Sequence, residues 1–100
     1  MPGNGQAVLK ALEPRRAELR RLGVKRLALF GSSVRGDAEE KSDLDFLVEL
    51  DPKSFDAYMD VKFFLEDLFG RKVDLVLADA LKPRLRPRIL AEAVDVPLSS

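Results

Sequence analysis

Two short polar motifs that each border a predicted strand constrain the fold of this chain more than any other feature. Gly31-Ser32 follows a mostly apolar run at residues 25–30. After ten intervening residues, Asp43 and Asp45 open a run of alternating side chains that continues to residue 50. Alternation with a period of two is typical of a strand with one buried face, and it puts both acids on the same side. If the turn at Gly31 is to lie beside these acids, the two strands must be antiparallel.

The remaining elements are predicted from apolar periodicity and from capping residues. They are a helix at residues 8–22 that is interrupted at Pro14 and ended by Gly23, a helix from the cap Ser54 to residue 69 that is closed by Gly70, a strand at residues 72–77, and a last helix between the cap Asp79 and Pro97. A strand, a helix and a strand in this order permit a right-handed parallel crossover, which brings Asp74 level with Asp43 and Asp45. The predicted fold class is therefore α/β (α+β), a small mixed β-sheet with packed helices.

The same patterns predict which side chains form the core. The expected core residues are Leu44, Phe46, Val48 and Leu50 on the second strand, Phe55, Tyr58, Val61, Leu65 and Leu68 on the helix that follows it, and Leu85, Ile89, Leu90 and Val94 on the last helix. Residues 1–5 are expected to be a flexible tail. Residues 32–36 are expected to open a short helix, and residues 37–42 to form a polar connection.

The composition narrows the chemistry that is available to the chain. With 100 residues, of which 46% are hydrophobic and 34% charged, residues 1–100 are expected to form one compact domain. Lys and Arg (17) balance Asp and Glu (17), which disfavours stable polynucleotide binding through a broad positive surface. The absence of cysteine and histidine excludes thiol catalysis, thiolate zinc sites and a histidine general base. No apolar run approaches the roughly 20 residues that span a bilayer, so a cytoplasmic location is expected.

The polar motifs combine a possible cation site with a possible phosphate site. Acids two residues apart on a strand lie about 6.6 Å apart along the chain and on one side, so Asp43 and Asp45 can share cations. Oxygen ligands without histidine or cysteine favour magnesium or manganese. Gly31 lets a phosphate approach the backbone, Ser32 can donate both N–H and hydroxyl, and Arg35 lies one helical turn further on, where its guanidinium can neutralise phosphate charge.

Each motif has an ordinary structural explanation when it is taken alone. A Gly-Ser pair before a helix is usually a capped turn, and Ser-Asp-x-Asp is a common polar entry to a strand. Asp74 alone is an edge-strand acid, although a carboxylate in an otherwise apolar strand needs a partner. The three motifs together, at strand ends that meet in space, are much less ordinary than any one of them.

Three segments resemble the signature of the DNA polymerase beta-like nucleotidyltransferases. They are Gly-Ser-Ser-Val-Arg-Gly at residues 31–36, Ser-Asp-Leu-Asp-Phe-Leu-Val at residues 42–48 and Lys-Val-Asp-Leu-Val at residues 72–76. The resemblance covers roughly residues 25–94. The small size is similar to that of the minimal nucleotidyltransferase (MNT) group, many members of which are partners of HEPN-domain proteins in toxin–antitoxin pairs. The fold that the resemblance implies is the mixed sheet with helices derived above.

Carried over by position, the resemblance implies a role for each motif. Gly31 and Ser32 would hold the triphosphate of ATP, and Asp43 and Asp45 would bind two Mg²⁺ ions, with Mn²⁺ as an alternative. Asp74 would complete the metal site and help to take the proton from the attacking hydroxyl. The implied reaction is in-line attack on the α-phosphorus, which gives an adenylylated acceptor and pyrophosphate.

The residues do not identify the acceptor. In the toxin–antitoxin branch of the family the acceptor is a tyrosine hydroxyl of the HEPN protein. The resemblance therefore implies an antitoxin that adenylylates its partner in a hetero-oligomer. A homo-oligomer is also compatible with the sequence. An alternative is a binding module that neutralises the partner by contact alone. A third is a transferase that acts on small molecules, which is disfavoured because the chain has no room for an extra acceptor-binding domain.

Overall fold

The computed structural model describes residues 4–31, 34, 43–51 and 53–98. Within these ranges the helices are α1 (Asn4–Leu12), α2 (Arg16–Arg21), α3 (Phe55–Phe69) and α4 (Arg86–Glu92), and the strands are β1 (Val24–Phe30), β2 (Leu44–Leu50), β3 (Val73–Leu77) and β4 (Val94–Asp95). Short 3₁₀ turns occupy Glu13–Arg15 and Ala78–Ala80. The helical turn and the polar connection predicted for residues 32–42 lie outside the described residues, apart from Val34.

The first helical segment is interrupted where the sequence predicts. The 3₁₀ turn Glu13–Arg15 separates α1 from α2, with Pro14 near its start. Proline has no N–H and would clash with the preceding turn inside a continuous helix, so the interruption falls at this residue. The helix begins earlier than predicted, because α1 already includes Asn4 and Gly5 of the expected tail.

The sheet has the order β3-β2-β1-β4 and mixes parallel with antiparallel neighbours. Strand β2 pairs antiparallel with β1 and parallel with β3, and α3 forms the connection between the two parallel strands. Both pairings confirm the arrangement that the sequence motifs require. Strand β4, which the sequence analysis did not predict, pairs antiparallel with β1 on its other side.

The hydrophobic core lies between the sheet and the helices. The predicted face of β2 is buried, since Leu44, Phe46, Val48 and Leu50 are all at most 7% exposed. The other buried core residues are Val8, Leu12, Leu19, Val24, Leu27, Leu29, Val61, Leu65, Val73, Leu75 and Val96. They come from both ends of the described chain, so α1, α2, α3 and the sheet share one core.

Helix α3 has the predicted caps. Ser54 Oγ accepts the backbone N–H of Ala57 (3.0 Å), and Gly70 ends the helix in the left-handed conformation. Val61 and Leu65 are fully buried, but the prediction that Phe55 belongs to the core is wrong, because its side chain is 76% exposed. As the first helical residue it lines a surface pocket of about 350 Å³ with Leu50, Tyr58 and Leu77. No helix in the described ranges is long and apolar enough to cross a membrane.

The last helix is shorter than predicted. It begins after Leu85, and Pro87 lies in its first turn, so Asp79, which lies in a 3₁₀ turn, is not its cap. Ala93 is extended, and the chain then forms β4, where Val94 pairs with Leu29.

The predicted buried stripe of the last helix is therefore largely wrong. Leu85, Leu90 and Val94 are each about 40% exposed. The periodicity of these residues matches a helix, but pairing with the free edge of β1 takes precedence over it.

Two side chains of α3 bond to the outer strand β3. The hydroxyl of Tyr58 donates to the carbonyl of Leu75 (2.5 Å), and Glu66 Oε2 accepts the N–H of Val73 (3.0 Å). Edge strands expose backbone groups that can pair with other chains, and these bonds cover two such groups. They also fasten α3 to the start of β3, close to Asp74.

The bond from Tyr58 gives a stability prediction. We expect Tyr58→Phe to lower the free energy of unfolding by about 1 kcal/mol, because the carbonyl of Leu75 loses its partner. The exposed variant Asp60→Asn on the same helix serves as the control and should stay within about 0.5 kcal/mol of the wild type. Urea unfolding measures both. Equal stability of Tyr58→Phe and the wild type would show that the bond contributes nothing.

Candidate active site

Asp45 and Asp74 are direct neighbours on adjacent strands. They occupy the second position of β2 and of β3, and the parallel register pairs them with each other. The preceding pair, Leu44 and Val73, is buried in the core. Because successive side chains of a strand point to opposite faces, the two acids lie together on the other face of the sheet. Asp45 is half-buried and Asp74 is exposed, so solutes can reach the pair.

Asp43 directly precedes β2 and is exposed. The sequence predicts that it acts with Asp45 and Asp74. Within the described parts of the chain, however, no three acidic side chains come close enough to form a group that could hold a metal ion. The structure thus brings Asp45 and Asp74 together as a pair, and the participation of Asp43 stays a prediction.

Gly31 lies against the carboxylate of Asp45. Phe30, the last residue of β1, pairs with Asp45, and the chain turns at Gly31 with a φ of +82°. A Cβ at Gly31 would lie 3.1 Å from Cγ of Asp45 and closer still to Oδ2. Glycine is therefore required here both by the backbone conformation and by the acid beside it. The sequence predicts that a glycine at this position lets a phosphate approach the backbone; the positive φ and the neighbouring acid are two further reasons for it.

The turn after β1 begins at Gly31. Its carbonyl accepts the N–H of Val34 (3.1 Å), a bond that closes a turn. We call Gly31, together with this bond, the Gly31 turn. The other two predicted nucleotide-binding residues, Ser32 and Arg35, lie outside the described residues, so their roles stay predictions.

Glu92 is a site residue that the sequence motifs did not reveal. Its Oε1 accepts the backbone N–H of Gly31 (3.0 Å), although the two residues are 61 positions apart. One local signal was available, because Glu92 is the last residue of α4, where the negative end of the helix dipole disfavours a carboxylate. An acid in that position needs a compensating partner, but the sequence does not say which one.

This arrangement combines hard oxygen donors with a glycine turn at one end of the sheet. The paired carboxylates of Asp45 and Asp74 can bind a divalent cation or accept a proton. The Gly31 turn lies directly beside them, and Gly31 has no side chain that would block access to Asp45. The described residues can therefore hold a cation at the acid pair, and the binding of phosphate by the residues that follow Gly31 stays a prediction.

The contact between Gly31 and Asp45 predicts a large cost for one added methyl group. Gly70 is a matched control, since it also has a positive φ but an added Cβ would meet nothing within 4 Å. We expect Gly70→Ala to cost about 1–2 kcal/mol for the left-handed backbone alone. Gly31→Ala should cost roughly 1–3 kcal/mol more, because its Cβ also overlaps the acid.

Urea unfolding of the two variants and of Gly31→Ala with Asp45→Ala measures these terms. The second substitution should recover part of the loss by removing the overlap. If Gly31→Ala were no more costly than Gly70→Ala, the close contact with Asp45 would be refuted.

Comparison with known proteins gives a family for the chain. A family model described as a nucleotidyltransferase domain matches residues 11–96. The chain is also 40% identical over 87 residues to the protein adenylyltransferase MntA of Thermococcus cleftensis, a match that covers 85% of this chain and 88% of that protein. The motifs at residues 31–36, 42–48 and 72–76 all lie inside the range of the family model.

Solved structures show the same architecture. A structure assigned as a minimal nucleotidyltransferase matches with a TM-score of 0.72 and 40% identity, over 86% of this chain and 93% of that chain. A chain in the complex of a tri-AMPylated Shewanella oneidensis HEPN toxin with an MNT antitoxin matches with a TM-score of 0.63 and 18% identity, over 91% and 73% of the two chains, which shows a shared fold. The sequence match and the shared architecture lead to one conclusion, that the chain belongs to the nucleotidyltransferase domain family.

Proposed function

We propose that this protein is a magnesium-dependent enzyme that transfers AMP from ATP to a tyrosine hydroxyl of a HEPN-domain partner, and that it thereby acts as the antitoxin of the pair. The observation that carries the proposal is the pairing of Asp45 with Asp74 beside the Gly31 turn. Family membership supports nucleotidyl transfer, and the names of the relatives support a protein acceptor.

The donor set at the site fits magnesium. Asp45 and Asp74 offer carboxylate oxygens from adjacent strands, and we propose that Asp43, which directly precedes β2, joins them when the ions bind. Hard divalent cations prefer such oxygen ligands. The chain contains no histidine or cysteine, which are the ligands that softer metals prefer. We propose that these three acids hold the ions. When bound, the ions neutralise the charge of the triphosphate and polarise its α-phosphoryl group.

The reaction that fits the site is an in-line displacement. The oxygen of the acceptor hydroxyl forms a bond to the α-phosphorus, and the bond from that phosphorus to the oxygen bridging to the β-phosphate breaks. Pyrophosphate leaves, and we propose that the hydroxyl proton passes to Asp74, which is the more exposed acid of the pair. Correct placement of the two reactants supplies much of the rate enhancement in such a site.

The Gly31 turn is proposed to hold the triphosphate. Since Glu92 already accepts the N–H of Gly31, the donors for phosphate would come from the N–H and hydroxyl of Ser32. Arg35 would add a guanidinium that neutralises the outer phosphates. The role of Gly31 would then be conformational, because only glycine permits the turn so close to Asp45.

Support for a HEPN partner comes from the Shewanella oneidensis toxin–antitoxin complex, one chain of which has the fold of this protein. That complex contains a HEPN toxin carrying three AMP groups together with its MNT antitoxin. We therefore propose transfer of AMP to such a partner, because both this complex and the site described above support that activity.

Removal of one paired acid should abolish transfer. We expect Asp45→Asn and Asp74→Asn each to slow transfer of labelled AMP to a co-purified HEPN-domain partner by about 100-fold or more, the size of effect seen when one group that stabilises a transition state is lost. Asp67→Asn, an exposed acid on α3, is the control and should transfer at the wild-type rate. Undiminished transfer by the Asp45→Asn enzyme would refute the proposed site.

Removal of divalent cations should have the same effect. We expect excess chelator to stop AMP transfer and added Mg²⁺ or Mn²⁺ to restore it, because three acids repel a triphosphate unless cations lie between them. The rate of pyrophosphate release measures the effect. Transfer that persists at the full rate in chelator would contradict the metal requirement.

The same variants distinguish catalysis from neutralisation by contact alone. The mass of the co-expressed partner should increase by one or more AMP groups on tyrosine with the wild-type enzyme and stay unchanged with Asp45→Asn. Growth of cells that express both proteins reports whether the toxin is neutralised. If the unmodified partner were harmless in the presence of Asp45→Asn, contact alone would account for neutralisation.

A further inference from the structure

We propose that Glu92 is a positioning residue for nucleotide binding, because its carboxylate fixes Gly31, the residue at which the chain leaves β1 toward the proposed phosphate-binding residues. The contact that carries the proposal is the hydrogen bond from the N–H of Gly31 to Glu92 Oε1 (3.0 Å). The proposal rests on the nucleotidyl transfer proposed above. It assigns a role to the segment after β3, which contains none of the three sequence motifs.

The topology explains how Glu92 reaches the turn. Helix α4 ends at Glu92, Ala93 is extended, and Val94 and Asp95 then pair with Leu29 and Ala28 of β1. Because β4 runs antiparallel to β1, the residues before Val94 lie alongside the residues after Leu29. Glu92 therefore arrives level with Gly31, at the end of β1. The two-residue strand β4 fixes this register.

The Gly31 turn needs such an anchor. Glycine has more conformational freedom than any other residue. The backbone of Gly31, with its positive φ, therefore does not by itself fix the direction in which the chain leaves β1. Asp45 restricts one side of Gly31 by its close approach. The bond from Glu92 restricts the N–H side, and a hydrogen bond to a charged acceptor is stronger than one between neutral groups.

The use of a carboxylate at this position is costly in electrostatic terms. Glu92 lies at the negative end of α4, and it brings a further negative charge to the turn beside Asp45. A negative charge next to a triphosphate site would by itself weaken nucleotide binding. The bond to the Gly31 N–H is one contact of this carboxylate, and we infer that the geometry it maintains at Gly31 contributes more to nucleotide binding than the charge removes.

Two substitutions at Glu92 separate the hydrogen bond from the charge. Glutamine keeps an oxygen that can accept the N–H of Gly31 and removes the charge, whereas alanine removes both. We expect Glu92→Ala to raise KM for ATP about tenfold with kcat within about threefold of the wild type, since the turn would bind substrate and transition state alike. Glu92→Gln should restore KM to within about twofold of the wild-type value.

Asp95 provides the matched control. It is a carboxylate on the same segment, and it fastens β4 to β1 by accepting two hydrogen bonds from the guanidinium of Arg26 (3.0 and 3.3 Å). These bonds raise the pKa of Arg26. If Glu92→Ala acted only by loosening this segment, Asp95→Ala would have the same effect. We expect Asp95→Ala to leave KM for ATP unchanged while it lowers the temperature of unfolding at least as much as Glu92→Ala does.

The experiment measures three quantities on the full chain: the exchange rate of the Gly31 amide proton by NMR without nucleotide, the binding of Mg²⁺ and a nonhydrolysable ATP analogue, and steady-state AMP transfer. The proposal expects Glu92→Ala to accelerate exchange at Gly31 at least tenfold and to weaken analogue binding about tenfold, with both restored by Glu92→Gln. Unchanged exchange at Gly31, or analogue binding by Glu92→Ala that equals or exceeds the wild type, overturns it. Equal impairment of Glu92→Gln and Glu92→Ala overturns it too, because charge would then matter and the accepted bond would not.

These outcomes are distinct from failure of the proposed function. If the wild-type protein transfers AMP and Glu92→Ala does so with an unchanged KM, the role of Glu92 is refuted and the enzyme assignment stands. If the wild-type protein neither binds the analogue nor transfers AMP, the proposed function fails and the role of Glu92 in nucleotide binding fails with it.

Discussion

The site depends on one strand, β2, being paired on both sides near its start. Asp45 is held by Phe30 of the antiparallel strand β1 and by Asp74 of the parallel strand β3. The alternation of β2 places Leu44 and Phe46 in the core on either side of Asp45, so a shift of one residue would exchange acid and core side chains. The burial that stabilises the sheet thereby also fixes where the carboxylate points.

The remaining parts of the site are arranged around Asp45 by separate constraints. Gly31 is positioned because β1 ends beside the acid and only glycine fits there with a positive φ. Asp74 is positioned by the crossover through α3, whose side chains Tyr58 and Glu66 bond to β3. Glu92 is positioned by β4. Side chains far apart in the chain therefore meet at one end of the sheet.

Much of this could be predicted from the sequence because the signals are local. The period-two run at residues 44–50 predicted β2 and its buried face, Ser54 and Gly70 predicted the ends of α3, and Pro14 predicted an interrupted helix. The position of Asp74 beside Asp45 followed from topology, since a crossover of this length makes the strands parallel. These predictions needed no knowledge of contacts between distant residues.

The errors arise where distant contacts decide. The stripe of Leu85, Leu90 and Val94 has helical spacing, but the free edge of β1 pairs with Val94 and ends the helix at Glu92. Phe55 fits a helical core pattern, yet as the first residue of α3 it is exposed. Glu92 belongs to no sequence motif. Its bond to Gly31 could not be predicted, because it depends on the pairing of β4 with β1.

The proposed activity requires that Asp45, Asp74 and the Gly31 turn bind a divalent cation and a nucleoside triphosphate in one place. Paramagnetic broadening of backbone NMR signals by substoichiometric Mn²⁺, with a nonhydrolysable ATP analogue present, tests it directly. We predict that the amide signals of Gly31, Asp45 and Asp74 broaden first, while those of the exposed acids on α3 stay sharp. Broadening that began elsewhere, or that left these three signals unaffected, would show that the cation and the nucleotide do not bind at this site.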